Sequence, residues 1–325
     1  MESFRRQKIV TPIFFVIEHQ NLETPARIAW VKAQDKHLKG ALLTTAGVLI
    51  VSPDALLLRL IDADVWTLLF WRCLLCALGL FIILLFLERR RGLIRLFTPG
   101  RAEFQIIGIN ACMHVFFVLA ILNTTVANAL VIMSISPLLG AILSRVFLRE
   151  QVAKRTWYTA LVVFAGLAVI FSGSLDDGNL AGNLFAFAVA ILMACHFVLL
   201  RRYRKVSMIP AVIWGMAATA FIAWPMAIPA SLNATSWVYI ALLGLCILPI
   251  STTLITLGPR YLPAPQAGLI MLLETLFGPL WVWLVIREEP SFETLLGGMT
   301  ILLALAIMSI TAIRKRMSTI SRLPK

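Results

Sequence analysis

Residues 126–151 read VANALVIMSISPLLGAILSRVFLREQ, and the pattern returns 138 positions later, at residues 264–289, as APQAGLIMLLETLFGPLWVWLVIREE. Seven of the 26 aligned positions are identical without a gap, and each copy is an apolar run closed by Arg-Glu. Internal repeats in an apolar chain indicate a membrane protein that is built from two related halves. The identical pairs are Ala129/Ala267, Ile132/Ile270, Met133/Met271, Leu138/Leu276, Gly140/Gly278, Arg149/Arg287 and Glu150/Glu288.

The composition of the chain agrees with a membrane protein. It has 325 residues, of which 60% are hydrophobic and only 14% are charged. Apolar runs of about 18 or more residues recur along it, which is the length that a helix needs to cross a bilayer. The sequence therefore predicts an all-α polytopic membrane protein. The net charge of +13 lies mainly in short connectors, which indicates topology control and excludes nucleic acid as a partner.

The apolar runs predict ten transmembrane helices in two five-helix units. These units are residues 40–173 and 180–313, between a cytoplasmic tail at 1–39 and a basic cytoplasmic tail at 314–325. The predicted spans are about 40–60, 65–87, 104–121, 124–147, 156–173, 180–199, 208–229, 236–257, 264–286 and 292–313.

The basic residues predict which helix ends face the cytoplasm. With the N-terminus inside, the tails and inner connectors hold 26 of the 29 Lys and Arg residues. The outer connectors hold Arg59 and Arg287 beside several acidic residues, and Arg72 lies within a span. Because cytoplasmic segments carry the excess of Lys and Arg in membrane proteins, both termini are predicted to be cytoplasmic.

The repeat and this topology together predict inverted halves. The first copy lies in the fourth span and the second in the ninth, five spans later. Because five is odd, the two copies cross the membrane in opposite directions. Such halves place a binding site near the midplane at their interface. The closing pairs Arg149-Glu150 and Arg287-Glu288 then lie at opposite faces, and we interpret them as architectural residues that pair with neighbouring connectors.

The chain resembles the drug/metabolite transporter superfamily, in its ten-helix form with two EamA-type halves. The resemblance covers about residues 40–313, and it departs at Glu274 and Thr275, where the first half has Ser136 and Pro137. It is carried by NTTVANALVIMSISPLLGAILSRVFLRE at 123–150, LPAPQAGLIMLLETLFGPLWVWLVIREE at 262–289, SPDALLLRL at 52–60 and FWR at 70–72.

The resemblance implies secondary active transport of a small organic metabolite, such as an amino acid, by alternating access in the inner membrane of the cell. Export is the direction that it implies more often. One alternative is uptake of a vitamin- or nucleoside-like metabolite. An alternative of another class is a membrane scaffold or sensor that transports nothing.

Charged side chains within predicted spans must face a cavity or a partner, because a charge costs about 2.5–3.5 kcal/mol in hydrocarbon on insertion scales. Three stand out, namely Asp54, Arg72 and Glu274. At ~1.5 Å per residue, Asp54 and Arg72 lie ~9–10 Å below the outer surface, and His114 lies at a similar depth. Glu274 lies near the middle of its span. These four residues predict the wall of a polar cavity.

Each of the four residues has two interpretations. As a binding residue, Arg72 would hold a carboxylate or another anionic group through its fork of donors. Asp54 or Glu274 would hold an amino group or take a coupling proton, and His114 would relay protons. As a structural residue, Arg72 would pair with Asp54 or Glu274 and lock the helices together. Asp54 would then belong to a helix break, and His114 would be a satisfied bundle histidine.

Four further residues are candidates for lining the same space, namely Asn110, Asn128, Trp71 and Trp214. The two asparagines would offer polar groups to the cavity. The two tryptophans would stack on a flat solute, or they would serve as packing and interface anchors.

Prolines and glycines predict bent and closely packed helices. Pro137, Pro249 and Pro279 predict kinks in the fourth, eighth and ninth spans. Gly297-Gly298 in the tenth span and Gly166 in the fifth span predict close contact of these helices with neighbouring helices.

The motifs of other function classes are missing from the sequence. It has no nucleotide-binding loop G-x-x-x-x-G-K-[ST], no H-E-x-x-H and no G-x-S-x-G. The pair Cys73 and Cys76 has no second pair or nearby histidine to complete a metal site. The sequence predicts no enzyme, catalytic residue, cofactor or metal site. The expected partners are a small-molecule solute, the lipid bilayer, a proton or solute gradient and a second copy of the chain in a homodimer.

The predicted topology can be tested with epitope tags. A tag beside Asp176 should be reachable only from outside the cell, and a tag beside Lys205 only from the cytoplasm, because one span separates them. Antibody labelling of intact and permeabilised cells measures this. If both tags were reachable from one side, the inverted arrangement would be excluded.

Overall fold

The computed structural model describes residues 38–87, 89–148, 154–176, 179–203, 208–258, 261 and 264–321. Within these ranges the chain is almost entirely helical. Of the predicted tail at 1–39, residues 1–37 lie outside the described residues. Arg149 and Glu150 lie outside them as well. The helices are α1 (38–51), α2 (Asp54–Leu60), α3 (Val65–Leu87), α4 (Arg89–Phe97), α5 (Arg101–Asn123), α6 (Val126–Met133), α7 (Ser136–Leu148), α8 (Lys154–Asp176), α9 (Leu180–Arg202), α10 (Ile209–Ala223), α11 (Ala234–Ala241), α12 (Leu248–Leu257), α13 (Ala264–Ile286) and α14 (Phe292–Ser321).

Eight helical stretches of the described chain are long and apolar enough to cross a membrane, and the protein is a multi-pass integral membrane protein. Two further apolar stretches, Ile270–Ile286 in α13 and Phe292–Met308 in α14, are shorter. The eight stretches are Leu38–Leu60, Val65–Leu87, Arg101–Asn123, Val126–Phe147, Thr156–Gly173, Leu180–Leu200, Ile209–Met226 and Ala234–Leu257. These ten stretches correspond in position to the predicted spans.

Three of the spans are interrupted, each close to a proline. The first breaks at residues 52–53, between α1 and α2, and the fourth breaks at residues 134–135, between α6 and α7. The eighth contains a π-helix, Leu242–Ile247, directly before Pro249. Proline has no N–H and its ring clashes with the carbonyl four residues earlier, so it removes one helix hydrogen bond and kinks or breaks the helix. Pro279 lies inside α13 without interrupting it.

Side chains and backbone geometry fix several helix ends. The Asp64 carboxylate accepts hydrogen bonds from the backbone N–H groups of Trp66 and Thr67, at 2.9 and 3.0 Å, and so caps α3. The Thr125 hydroxyl caps α6 in the same way. At the end of α13, Arg287 adopts the left-handed conformation, with φ of 63°. This conformation stops the helix and turns the chain towards α14.

The main helix pairings of the bundle come in matching sets. α5 packs against α9 and α10, while α12 packs against α1 and α3. α7 packs against α9, and α13 packs against α2. In each set, the helices of the second pairing lie in the predicted spans five positions along from those of the first, counting the ten spans as a cycle. For example, α5 lies in the third span and α12 in the eighth. The remaining main pairs, α3 with α10, α6 with α13 and α8 with α14, map onto themselves under the same change.

Small residues allow two of these close contacts. Gly166 of α8 faces Gly297 of α14, and a methyl group added to Gly297 would lie 2.5 Å from the Gly166 carbonyl oxygen. The close helix contact predicted for these glycines is thus met in the structure. A methyl group added to Gly182 of α9 would lie 2.3 Å from the backbone carbonyl oxygen of Asn123. Only glycine lets α9 approach the end of α5 this closely.

We predict that Gly182→Ala lowers the free energy of unfolding by about 1–3 kcal/mol, because the clashing atom belongs to the backbone and cannot rotate away. Gly108→Ala is the matched control, since a methyl group there meets nothing within 4 Å. Thermal unfolding of the purified variants in detergent measures the difference. Equal melting temperatures for the two variants would contradict the packing of α9 described above.

Candidate binding cavity

A cavity of about 170 Å³ lies in the middle of the bundle. Both halves of the chain contribute to its wall, through α2, α3, α5 and α6 on one side and α9, α12 and α13 on the other. Its polar lining residues are Asp54, Arg72, His114, Ser134, Ser136, Thr252, Glu274 and Thr275. Its apolar lining residues are Val51, Met113, Phe117, Leu130, Met133, Pro137, Val189, Met193, Leu248, Met271 and Leu272.

Much of this wall is built from positions that the repeat relates. The offset of 138 residues that relates the two copies also relates lining residues elsewhere in the two halves. The two sides of the wall thus use equivalent positions, but their chemistry differs. His114 corresponds to Thr252 in the other half, and Ser136 corresponds to Glu274. The related lining pairs are Val51/Val189, His114/Thr252, Met133/Met271, Ser134/Leu272, Ser136/Glu274 and Pro137/Thr275.

An ion pair forms one part of the cavity wall. The Arg72 Nη2 donates to the Asp54 Oδ2 across 2.7 Å, with side-chain exposures of 2% and 6%. Asp54 is the first residue of α2 and follows directly on the break at residues 52–53. The guanidinium also lies 5.2 Å from the centre of the Phe117 ring, an arrangement that favours a cation.

The Asp54–Arg72 pair leaves polar atoms without partners. The Arg72 Nε and Nη1 and the Asp54 Oδ1 are buried and have no hydrogen-bond partner among the described residues. A buried ion pair is favourable only when further hydrogen bonds satisfy its remaining donors and acceptors. Because Arg72 lines the cavity, an anionic group beside it is suited to accept hydrogen bonds from the N–H groups of Nε and Nη1.

Glu274 is the third charged group of the cavity. It lies in α13, and its side chain is half-buried. No hydrogen bond or ion pair joins it to another side chain in the described part of the chain, so its carboxyl group is free to accept a donor from the cavity. His114 of α5 also lines the cavity. The structure thus brings together the four residues that the sequence predicted for the cavity wall.

The other four predicted residues lie elsewhere. Asn110 is buried between helices, where its amide donates to the Ile106 carbonyl at 2.9 Å and contacts His196 Nδ1 at 3.3 Å. Trp71 donates to the Pro229 carbonyl at 3.1 Å, and Trp214 donates to the Leu96 carbonyl at 2.7 Å. These contacts fit packing and anchoring rather than a solute-facing position, which was one of the two interpretations of the tryptophans.

Asn128, the last of the predicted residues, belongs to a polar network beyond the cavity. Arg59 donates to the Thr124 carbonyl at 2.5 Å and lies 3.5 Å from the Glu288 carboxylate. The Glu288 carboxylate also accepts from the Val126 N–H at 2.7 Å. Thr124 donates to Asn183 at 2.7 Å. Asn128 contacts Thr124 and accepts from Thr294.

This network joins the ends of α2, α9, α13 and α14 to the α5–α6 connector. On α2, α6 and α13 alike, the network residues lie nearer the end predicted to face outside, and the cavity residues lie deeper. Glu288 therefore pairs with a neighbouring connector and helix end, as the sequence predicted for the second Arg-Glu pair. The sequence did not predict its partner, Arg59.

Sequence reasoning missed several lining residues, above all Met113, Met133, Met193 and Met271. A usable signal was present for two of them, since Met133 and Met271 are identical between the repeat copies. Identical positions of the two repeat copies are candidates for a surface that both halves contribute to one cavity. Met113 and Met193 carry no such signal.

Comparison with known families agrees with the architecture. The profile of the EamA-like transporter family matches the chain twice, over residues 38–172 and 180–310. The chain belongs to this family. The two matched segments together cover both sides of the cavity wall, so the cavity lies between two EamA-like repeats.

Two curated relatives come from Bacillus subtilis (strain 168), and both are named as uncharacterized transporters. YdfC is 28% identical over 180 residues, which cover 52% of this chain and 58% of that protein. YyaM is 33% identical over 141 residues, which cover 42% of this chain and 46% of that protein. The chain thus aligns with about half the length of each of these relatives.

A solved crystal structure shares the fold of this EamA-family protein. It superposes with a TM-score of 0.64 at 20% sequence identity, and the match covers 84% of this chain and 98% of that chain. At this level of identity the likeness concerns the fold alone.

We predict that the Asp54–Arg72 pair behaves as a coupled unit in stability measurements. Asp54→Leu and Arg72→Met should each lower the free energy of unfolding by about 3–5 kcal/mol, because each leaves a buried charge without its partner. The double variant should lose much less than the sum of the two. Thermal unfolding in detergent measures all three, with Arg145→Met at an exposed position as control. Additive losses in the double variant would argue against the pair.

Proposed function

We propose that this EamA-family protein is a secondary active transporter that moves an amino acid or a related small metabolite across the inner membrane. One observation above all supports the proposal. The cavity between the two repeats is lined by buried Arg72, whose Nε and Nη1 have no partner among the described residues, and by Glu274, whose carboxyl group has none there either. The carboxylate and the ammonium of one amino acid carry the groups that these two side chains require.

The size of the cavity agrees with a small solute. Its volume is about 170 Å³. An engineered protein cavity of about 150 Å³ binds benzene, so this cavity suits a molecule of roughly six to ten non-hydrogen atoms. Amino acids of small and medium size fall within this range.

Alternating access requires two related halves around a central site, and two observations support this arrangement. The main helix pairings are preserved when each span is exchanged for the one five positions later. Six lining pairs of the cavity obey the same offset as the sequence repeat. Together with the distribution of Lys and Arg, these observations support ten spans in two inverted five-helix halves, with both termini in the cytoplasm.

The polar network around Arg59 and Glu288 supports a closed outer end. It connects the helix ends that lie above the cavity, and these connections would have to separate before a solute could leave on that side. In the proposed cycle, the solute enters from the cytoplasm, occupies the cavity and is released outside. Asp54, Glu274 and His114 are the cavity groups that would carry a coupling proton if the gradient is one of protons.

We predict saturable flux in liposomes that contain the purified protein. The probe is an equimolar mixture of radiolabelled L-amino acids, followed by counterflow from preloaded vesicles. Arg72→Lys should reduce the flux about tenfold or more, because lysine keeps the charge but loses the fork that binds a carboxylate in two places. Glu274→Gln should reduce it as well, because the amide removes the counter-charge for the ammonium group.

Matched controls for this experiment are Arg95→Lys and Glu289→Gln. Both change exposed residues that do not line the cavity. Loading the label inside or outside separates export from uptake. Absence of saturable flux for the whole mixture, with folded protein in the vesicles, would favour the scaffold or sensor over the transporter. Flux that Arg72→Lys leaves unchanged would remove Arg72 from the binding site.

A further inference from the structure

The apolar part of the cavity wall carries a further inference, which rests on the transporter function proposed above. Four methionines line the cavity, two from each half, namely Met113, Met133, Met193 and Met271. The chain has only 11 methionines, so a large share of them meets at this one place. Phe117 lies beside them and stacks under the Arg72 guanidinium.

Charge counting limits the solutes that this wall accepts. Asp54 and Arg72 neutralise each other across 2.7 Å, and Glu274 supplies the one further charge among the described lining residues. An amino acid bound through its carboxylate and its ammonium uses the donors of Arg72 and the carboxyl group of Glu274. Apart from Asp54, whose charge is already paired with Arg72, no further Lys, Arg, Asp or Glu lines the described wall to meet a charge on the side chain of the solute. A charged side chain would therefore be buried without a partner, which is unfavourable.

The chemistry of methionine indicates what the wall accepts instead. Its side chain is unbranched and polarisable, with three rotatable bonds, so it adapts to apolar groups of different shapes. Met133 and Met271 occupy equivalent positions of the two repeat copies, so each half presents a methionine to the cavity at the same position. The volume of about 170 Å³ limits how long the accepted side chain can be.

We propose that the cavity selects α-amino acids with an uncharged, apolar side chain of medium size, aliphatic or thioether, and that Met133 and Met271 determine this specificity. Arg72 and Glu274 hold the two charged groups that all amino acids share. The methionines contact the side chain that distinguishes one amino acid from another. Binding strength and side-chain specificity are thus assigned to different residues of the same cavity.

The test uses the full chain in liposomes and counterflow of radiolabelled L-leucine. Unlabelled L-methionine, L-norleucine and L-valine should compete with the label at least about tenfold better than L-glutamate, L-lysine or L-serine. Met133→Ala and Met271→Ala enlarge the cavity, so each should improve competition by L-phenylalanine relative to L-valine by about fivefold or more. Met271→Leu keeps the volume and should keep the parental order of competitors.

Met299→Ala is the matched control, because Met299 lies on the outer surface of α14 with 62% exposure and should leave the order unchanged. Melting temperatures show that each variant is folded. If L-glutamate, L-lysine or L-serine competes as well as L-leucine, or the methionine variants keep the parental order, the specificity is refuted while the transporter function stands. If no amino acid gives saturable flux with folded protein in the vesicles, the amino-acid transport proposed above is itself refuted.

Discussion

The burial of one arginine constrains much of this structure. Arg72 lies within a long apolar helix, where a guanidinium without a partner would cost several kcal/mol. Its partner Asp54 comes from another span, which breaks at residues 52–53 directly before Asp54. The pair satisfies only part of the guanidinium, because Nε and Nη1 have no partner among the described residues. The same constraint therefore holds two helices together and leaves donors at the edge of the cavity.

The two halves build similar walls with different chemistry. Pro137 interrupts the fourth span, since it removes an N–H from the helix, whereas its equivalent Thr275 keeps that N–H and α13 runs on without a break. Ser136 is replaced by Glu274 at the equivalent position, so a charge enters the cavity from the second half only. A binding site on a pseudo-symmetric interface can thus distinguish the two ends of a solute, because the backbone arrangement is repeated but the side chains are not.

The polar network at the other end of α2 links the cavity to the ends of the helices. Asp54 and Arg59 lie on the same short helix, one paired with Arg72 and the other bonded to Thr124 and Glu288. A short rigid helix transmits a change at one of its ends to the other, since its backbone hydrogen bonds keep its length fixed. The short helix α2 thus joins the ion pair of the cavity wall to the polar network around Glu288.

The sequence by itself predicted the apolar stretches, the repeat, the irregular helix geometry near Pro137 and Pro249, and the grouping of Asp54, Arg72, His114 and Glu274 at one cavity. Each of these depends on covalent order or on the rise of a helix, which are local properties. Only the tertiary structure decided which way the side chains face. Asn110, Asn128, Trp71 and Trp214 lie at plausible positions along their spans but point to other helices, connectors or the outer network. In a soluble helix the apolar stripe reveals the buried face, but in a membrane both the lipid face and the core face are apolar, so the pattern does not reveal which residues meet across the cavity.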